Sequence, residues 1–143
     1  MDVGSSGHTT TDTSGLAQWD SGIKSVNATF TRVSAHAGTY NDVCSVHARF
    51  GMKGSVKVPL VVTKSGLKVT VRWASAAPPA GFAEDVQRRA PSTMAFTAFA
   101  TNSTAQSKTA TLMAGTWGFR ARYKNTTTGK FTAFSPVATV TVS

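Results

Sequence analysis

The sequence predicts an all-β protein, on three observations. Charged residues make up only 15% of the 143 residues and hydrophobic ones 41%. With abundant Thr, Val and Phe, that balance favours strands over surface-charged helices. Short runs of alternating character recur along the chain, separated by Gly, Pro, Ser and Asn turn signals. No segment carries the 3.6-residue period of an amphipathic helix.

The elements follow in order. Residues 1–7 are polar and Gly-rich and read as a loop. Residues 8–12 form a short Thr-rich strand candidate, and 13–27 scatter Gly, Ser and Asp around Trp19 as a turn-rich connection. Residues 29–33 alternate around Phe30 and read as a strand. Residues 38–43 bring a strand up to Cys44, and 55–58 take another away from Met52. Pro59 opens a different pattern, with strands expected over 60–63, 67–73, 83–88, 95–100, 108–112, 117–124 and 138–142. Ser-Gly and Ala-Pro-Pro-Ala-Gly turns punctuate them. Evenly spaced short strands of this kind are the signature of an antiparallel sandwich. The expected division is therefore 1–58 and 59–143.

Charge separates the same two parts. The net charge is +9. Five cations face four acids up to Val58, and ten face two from Pro59 onward. A basic second part suits an anionic surface or an acidic partner, although it reads first as a solvated strand face. No Lys/Arg run with interleaved aromatics appears, which argues against nucleic acid. No apolar run approaches a membrane span, and no basic-then-apolar leader is visible at the N-terminus. A single cysteine cannot form an internal disulfide, so it leaves the compartment open.

The chemistry concentrates between Ala35 and Val58. Cys44, His47 and Met52 are spaced Cys-x2-His-x4-Met, which is ligand spacing for a small loop joining two strands. A thiolate and an imidazole bind copper at short range, and a thioether adds a weak, long axial contact. Such a trigonal site needs a second imidazole, and His8 is the candidate. A structural zinc site would call for further thiolates or imidazoles in place of a methionine. Catalysis by Cys44 would need a base held by an orienting group, and no Asn or Asp landmark completes one. Carboxylates are too few and scattered for paired acid–base work, so an enzyme is not expected. His36 lies outside the ligand pattern and reads as a surface residue.

The stretch from His8 to Val58 resembles the plastocyanin-like blue copper proteins, the cupredoxins. The landmarks are His8-Thr9-Thr10-Thr11-Asp12, Trp19-Asp20-Ser21-Gly22, Ala37-Gly38-Thr39-Tyr40, the Cys44-x-x-His47 loop, and Gly51-Met52-Lys53-Gly54-Ser55-Val56. The resemblance implies part of a Greek-key sandwich that holds a type 1 copper ion, cycling between Cu+ and Cu2+. Its ligands would be His8, Cys44, His47 and Met52. It also implies a redox partner protein docking on the apolar surface near His47 and Phe50, and an extracytoplasmic location (secreted, cell surface or periplasmic). A cupredoxin begins with several strands ahead of its first histidine, where this chain has MDVGSSG. The chain is thus expected to be an N-terminally shortened version of a longer secreted protein. A hydrogen-bond donor to the thiolate is expected from residues 3–7.

Residues 59–143 resemble a fibronectin type III domain of the bacterial secreted kind. The matching residues are Val71-Arg72-Trp73, Asp85-Val86-Gln87-Arg88, Leu112, the run from Gly115 to Arg122, and the run from Phe134 to Val140. Trp117 stands where that family usually has the tyrosine of its corner. The resemblance implies an immunoglobulin-like sandwich acting as a spacer or docking module. Electron transfer is the function expected of the whole. The alternative is a non-redox extracellular binding or structural module whose first part holds no copper.

Overall fold

Antiparallel strand pairs make up nearly all the regular structure in the computed structural model, which describes residues 7–143. Of the loop expected over 1–7 and the thiolate donor expected from 3–7, all residues but Gly7 lie outside the described residues. In the first part, β1 (Thr11–Asp12), β2 (Gly38–Val43) and β3 (Lys53–Val58) form one sheet in the order β1-β2-β3. On β2, Gly38 and Tyr40 are buried while Asn41 is exposed, the alternation of a one-sided sheet. Tyr40 packs on Trp19 with ring centroids 5.9 Å apart.

The second part is a seven-stranded sandwich. Its strands are β4 (Val61–Ser65), β5 (Lys68–Arg72), β6 (Phe82–Arg89), β7 (Thr97–Ser103), β8 (Ser107–Thr111), β9 (Gly115–Asn125) and β10 (Ala138–Val142). One sheet runs β4-β5-β8 and the other β10-β9-β6-β7. The period-two pattern decides which residues enter the core. Val69 and Val71 of β5 are fully buried between exposed Lys68 and Arg72. From β9, Trp117, Phe119, Ala121 and Tyr123 all point inward. Each fully buried valine or phenylalanine side chain contributes about 1.5–3 kcal/mol. Gly66 takes a φ of +58° at the first central position of the two-residue β4–β5 turn, which a primed hairpin turn requires. Trp117 donates its indole N–H to the Met113 carbonyl at 3.0 Å. It thereby makes a side-chain-to-upstream-backbone bond of the kind a corner tyrosine makes.

The two parts are stitched together. Ala37 N–H donates to the Trp73 carbonyl at 2.8 Å, Ser75 N–H to Ala35 at 2.8 Å, and Thr39 N–H to Ala133 at 2.9 Å. A small apolar cluster spans the join, with Leu16, Trp19 and Tyr40 from the first part and Tyr123 from β9.

Three expectations need correction. Residues 29–33 form no strand. Val33 is 83% exposed, and Arg32 reaches back to Gln18 and over the Trp19 ring, so the segment has no ladder partner. The strand expected over 8–12 shortens to Thr11–Asp12, with His8 kept as a lone bridge to Lys24. His36 is not a surface residue: it is buried at the join and stacked on Tyr123, centroids 4.2 Å apart and planes 4° from parallel.

Candidate metal centre

The centre is assembled by a strand end, a tight loop and one distant backbone segment. Cys44 follows the last residue of β2, and the chain then curls through a 3-10 turn (Ala48–Phe50) before β3. His47 N–H donates to the Cys44 carbonyl at 3.0 Å, and Cys44 N–H donates to the Met52 carbonyl at 3.0 Å, which closes the loop on itself. Gly51 ends the turn with φ +83°, a conformation that favours glycine. His8 arrives from the other side, pinned by reciprocal backbone bonds with Lys24 at 2.9 and 2.7 Å.

Three of the four sequence-identified residues converge. The ligand atoms of His8, Cys44 and His47 all lie within 4.8 Å of one another. Cys44 Sγ is 3.4 Å from His47 Nδ1 and 3.8 Å from His8 Nδ1. Bonds of about 2.0 Å to nitrogen and 2.3 Å to sulfur, opened to a tetrahedral or trigonal angle, separate the two ligand atoms by about 3.5–3.7 Å. Both sulfur-to-nitrogen separations therefore suit one metal ion held by Cys44 and either imidazole. Met52 sits in the same loop, its carbonyl bonded to Cys44, with 45% of its surface exposed. Beside it, Phe50 is 72% exposed and its ring lies 6.4 Å from that of His47.

The electrostatics favour the thiolate. Burial alone would push the Cys44 thiol up. Hydrogen bonds from the Thr9 N–H and from the His47 and His8 rings outweigh it and bring the thiol down to about 6. The thiol is thus ionised at neutral pH, which is the form that binds a metal.

Thr9 is the residue that sequence reasoning missed. Its N–H points at Cys44 Sγ at 3.4 Å, and its hydroxyl accepts the Ser45 N–H at 2.7 Å. One residue thus supports both the thiolate and the loop that follows it. Thr10 continues the bracing, donating to Asp42 at 2.7 Å and accepting the Trp19 indole N–H at 3.0 Å. The repeated threonines next to His8 were the available signal.

A second polar cluster lies at the join between the two parts. Glu84 on β6 is fully buried, and its Oε1 is 3.4 Å from His36 Nδ1. Among the described residues, neither carboxylate oxygen nor that nitrogen has a hydrogen-bond partner. Burial, with some repulsion from Asp85, pushes the Glu84 carboxyl up to about 9, and burial lowers His36. Both directions favour the neutral forms of the two side chains over an ion pair.

In comparisons with known proteins, no family model matches the chain and no curated protein matches it.

Proposed function

We propose that the first part is a copper-binding, electron-transferring unit of the cupredoxin kind and the second an interaction module of the fibronectin type III kind. The observation that carries this reading is the convergence of one thiolate and two imidazoles on a single ion-sized space. His8 and His47 would hold copper through Nδ1 and Cys44 through Sγ, with Met52 supplying the axial thioether. A copper ion held by such a set supplies one-electron chemistry with little change of geometry between its two oxidation states. The chain's own residues do the rest. Thr9 N–H withdraws charge from the sulfur and tunes its donation. The closed Cys44–Met52 loop keeps the ligand atoms in place. Exposed Phe50 and the partly exposed Met52 present an apolar surface beside His47, suited to a brief encounter with a redox partner. The extracytoplasmic location belongs to the same proposal.

Potentiometry of the copper-loaded protein tests it. One reversible single-electron step per chain is expected, with Met52→Gln shifting the midpoint while one ion per chain is retained. Absence of a reversible step, or a midpoint indifferent to residue 52, contradicts the proposal.

A further inference from the structure

The outer face of the sheet β10-β9-β6-β7 carries a ladder in which arginines and phenylalanines alternate. Arg89 lies over Phe96 at 5.3 Å, and Arg120 lies over the same ring at 3.9 Å. Arg120 then stacks on Phe134 at 4.1 Å, Arg122 on Phe134 at 5.0 Å, and Arg122 on Phe131 at 3.8 Å. The register explains the order. Outward positions of β6 and β9 pair as Asp85 with Arg122 and Gln87 with Arg120. The residues before β7 and after β9 fold their phenylalanines between the arginines.

Charge on this face is only partly compensated. Asp85 is its one carboxylate, buried beneath the ladder, and it serves both Arg122 (3.2 Å) and Lys124 (3.1 Å). Arg120 donates two N–H groups to the neutral amide oxygen of Gln87, at 2.9 and 2.8 Å. Among the described residues, neither Arg120 nor Arg89 forms an ion pair. Desolvation and the neighbouring Arg122 charge both lower the Arg120 pKa. The packing thus holds like charges together at a cost that an incoming anion would relieve.

We propose that this face docks an extended acidic segment of a partner protein, its carboxylates seated on Arg89, Arg120 and Arg122. The spacing favours such a segment. Arg120 and Arg122 stand two residues apart along β9, about 6.6–6.8 Å, and Arg89 of β6 pairs one such step further on, opposite Gly118. An extended peptide with acidic side chains at every second position repeats at the same distance. Bases and sugar rings are poorer partners, because they need free aromatic faces. Two guanidiniums already lie over each of Phe96 and Phe134, which leaves less of either ring open to a base. Guanidiniums so fixed lose little side-chain freedom when they meet a carboxylate. The inference is independent of the metal centre.

Fluorescence anisotropy on the full chain tests it, using a labelled octapeptide of alternating glutamate and threonine. Arg89→Gln and Arg120→Gln are each expected to weaken binding about fivefold or more, the loss of a charge-assisted contact. Arg89→Gln keeps the test valid if Arg120→Gln fails to fold, which thermal melting reports. Lys57→Gln combined with Lys68→Gln removes two exposed charges elsewhere and is expected to change binding less than about twofold. Equal weakening by the control pair would mean attraction by net charge alone and would overturn the proposal. So would tighter binding, weakened by Arg89→Gln, of a single-stranded oligonucleotide of equal charge.

Discussion

At the scale of the residue, two buried polar clusters behave in opposite ways. Around Cys44 the Thr9 N–H and the two imidazole rings approach the sulfur, so the charged form is favoured and the thiol is brought down to about 6. Around Glu84 nothing compensates burial, so the neutral form is favoured up to about pH 9. The second case has a definite sign. The folded protein keeps the Glu84 proton over the range from 4.5, the group's ordinary value, to about 9, while the unfolded chain has lost it. Stability contributed by this group therefore falls as pH rises through that window. Glu84→Gln removes the ionisation and nearly keeps the shape. The variant is expected to gain stability over the parent progressively as pH rises from about 5 to 9, by up to about 1.4 kcal/mol per pH unit. Urea titrations of both proteins across that range check it, and a constant difference would contradict it. His36 was misplaced as a surface residue because its burial depends on Tyr123, a contact between residues far apart in the chain.

At the scale of the element, legibility followed the period. β5 and β9 were readable because β-branched and aromatic residues alternate with polar ones over most of their length and both sheets bury the apolar side. Residues 29–33 show a similar alternation around Phe30, yet no neighbouring strand offers them a ladder. Alternation is necessary for a half-buried strand but does not create a partner. β1 failed in the opposite sense: Thr9 and Thr10, expected in the strand, are bonded to Ser45 and Asp42 through their hydroxyls, and only Thr11 and Asp12 pair as strand. The contact between β2 and the segment after β9 depends on Gly38. A Cβ there would meet Thr132 Oγ1 at 2.5 Å, and Thr132 is buried. Gly38→Ala is expected to destabilise the protein by about 1–3 kcal/mol through overpacking, read as a lowered thermal midpoint. An unchanged midpoint would mean that the two parts do not press on one another at this point.

At the scale of the whole molecule, the two parts carry different kinds of surface. The first brings ligands together and exposes apolar Phe50 and Met52 beside them. The second carries most of the positive charge, and its arginines are not merely solvated, since phenylalanine rings hold several of them in fixed order. The ligand types and their spacing were legible because a nine-residue loop can be judged from sequence alone. The thiolate's donor was not, because every residue but proline has an N–H and only the fold decides which one faces the sulfur. The proposed blue copper site rests on His8, Cys44 and His47. A visible spectrum of the purified chain after addition of copper(II), with Cys44→Ser as control, tests it most directly. An intense blue thiolate-to-copper band is expected, saturating at one ion per chain and lost in the variant. A chain that stays folded yet shows no such band, or a band that survives in Cys44→Ser, would contradict it.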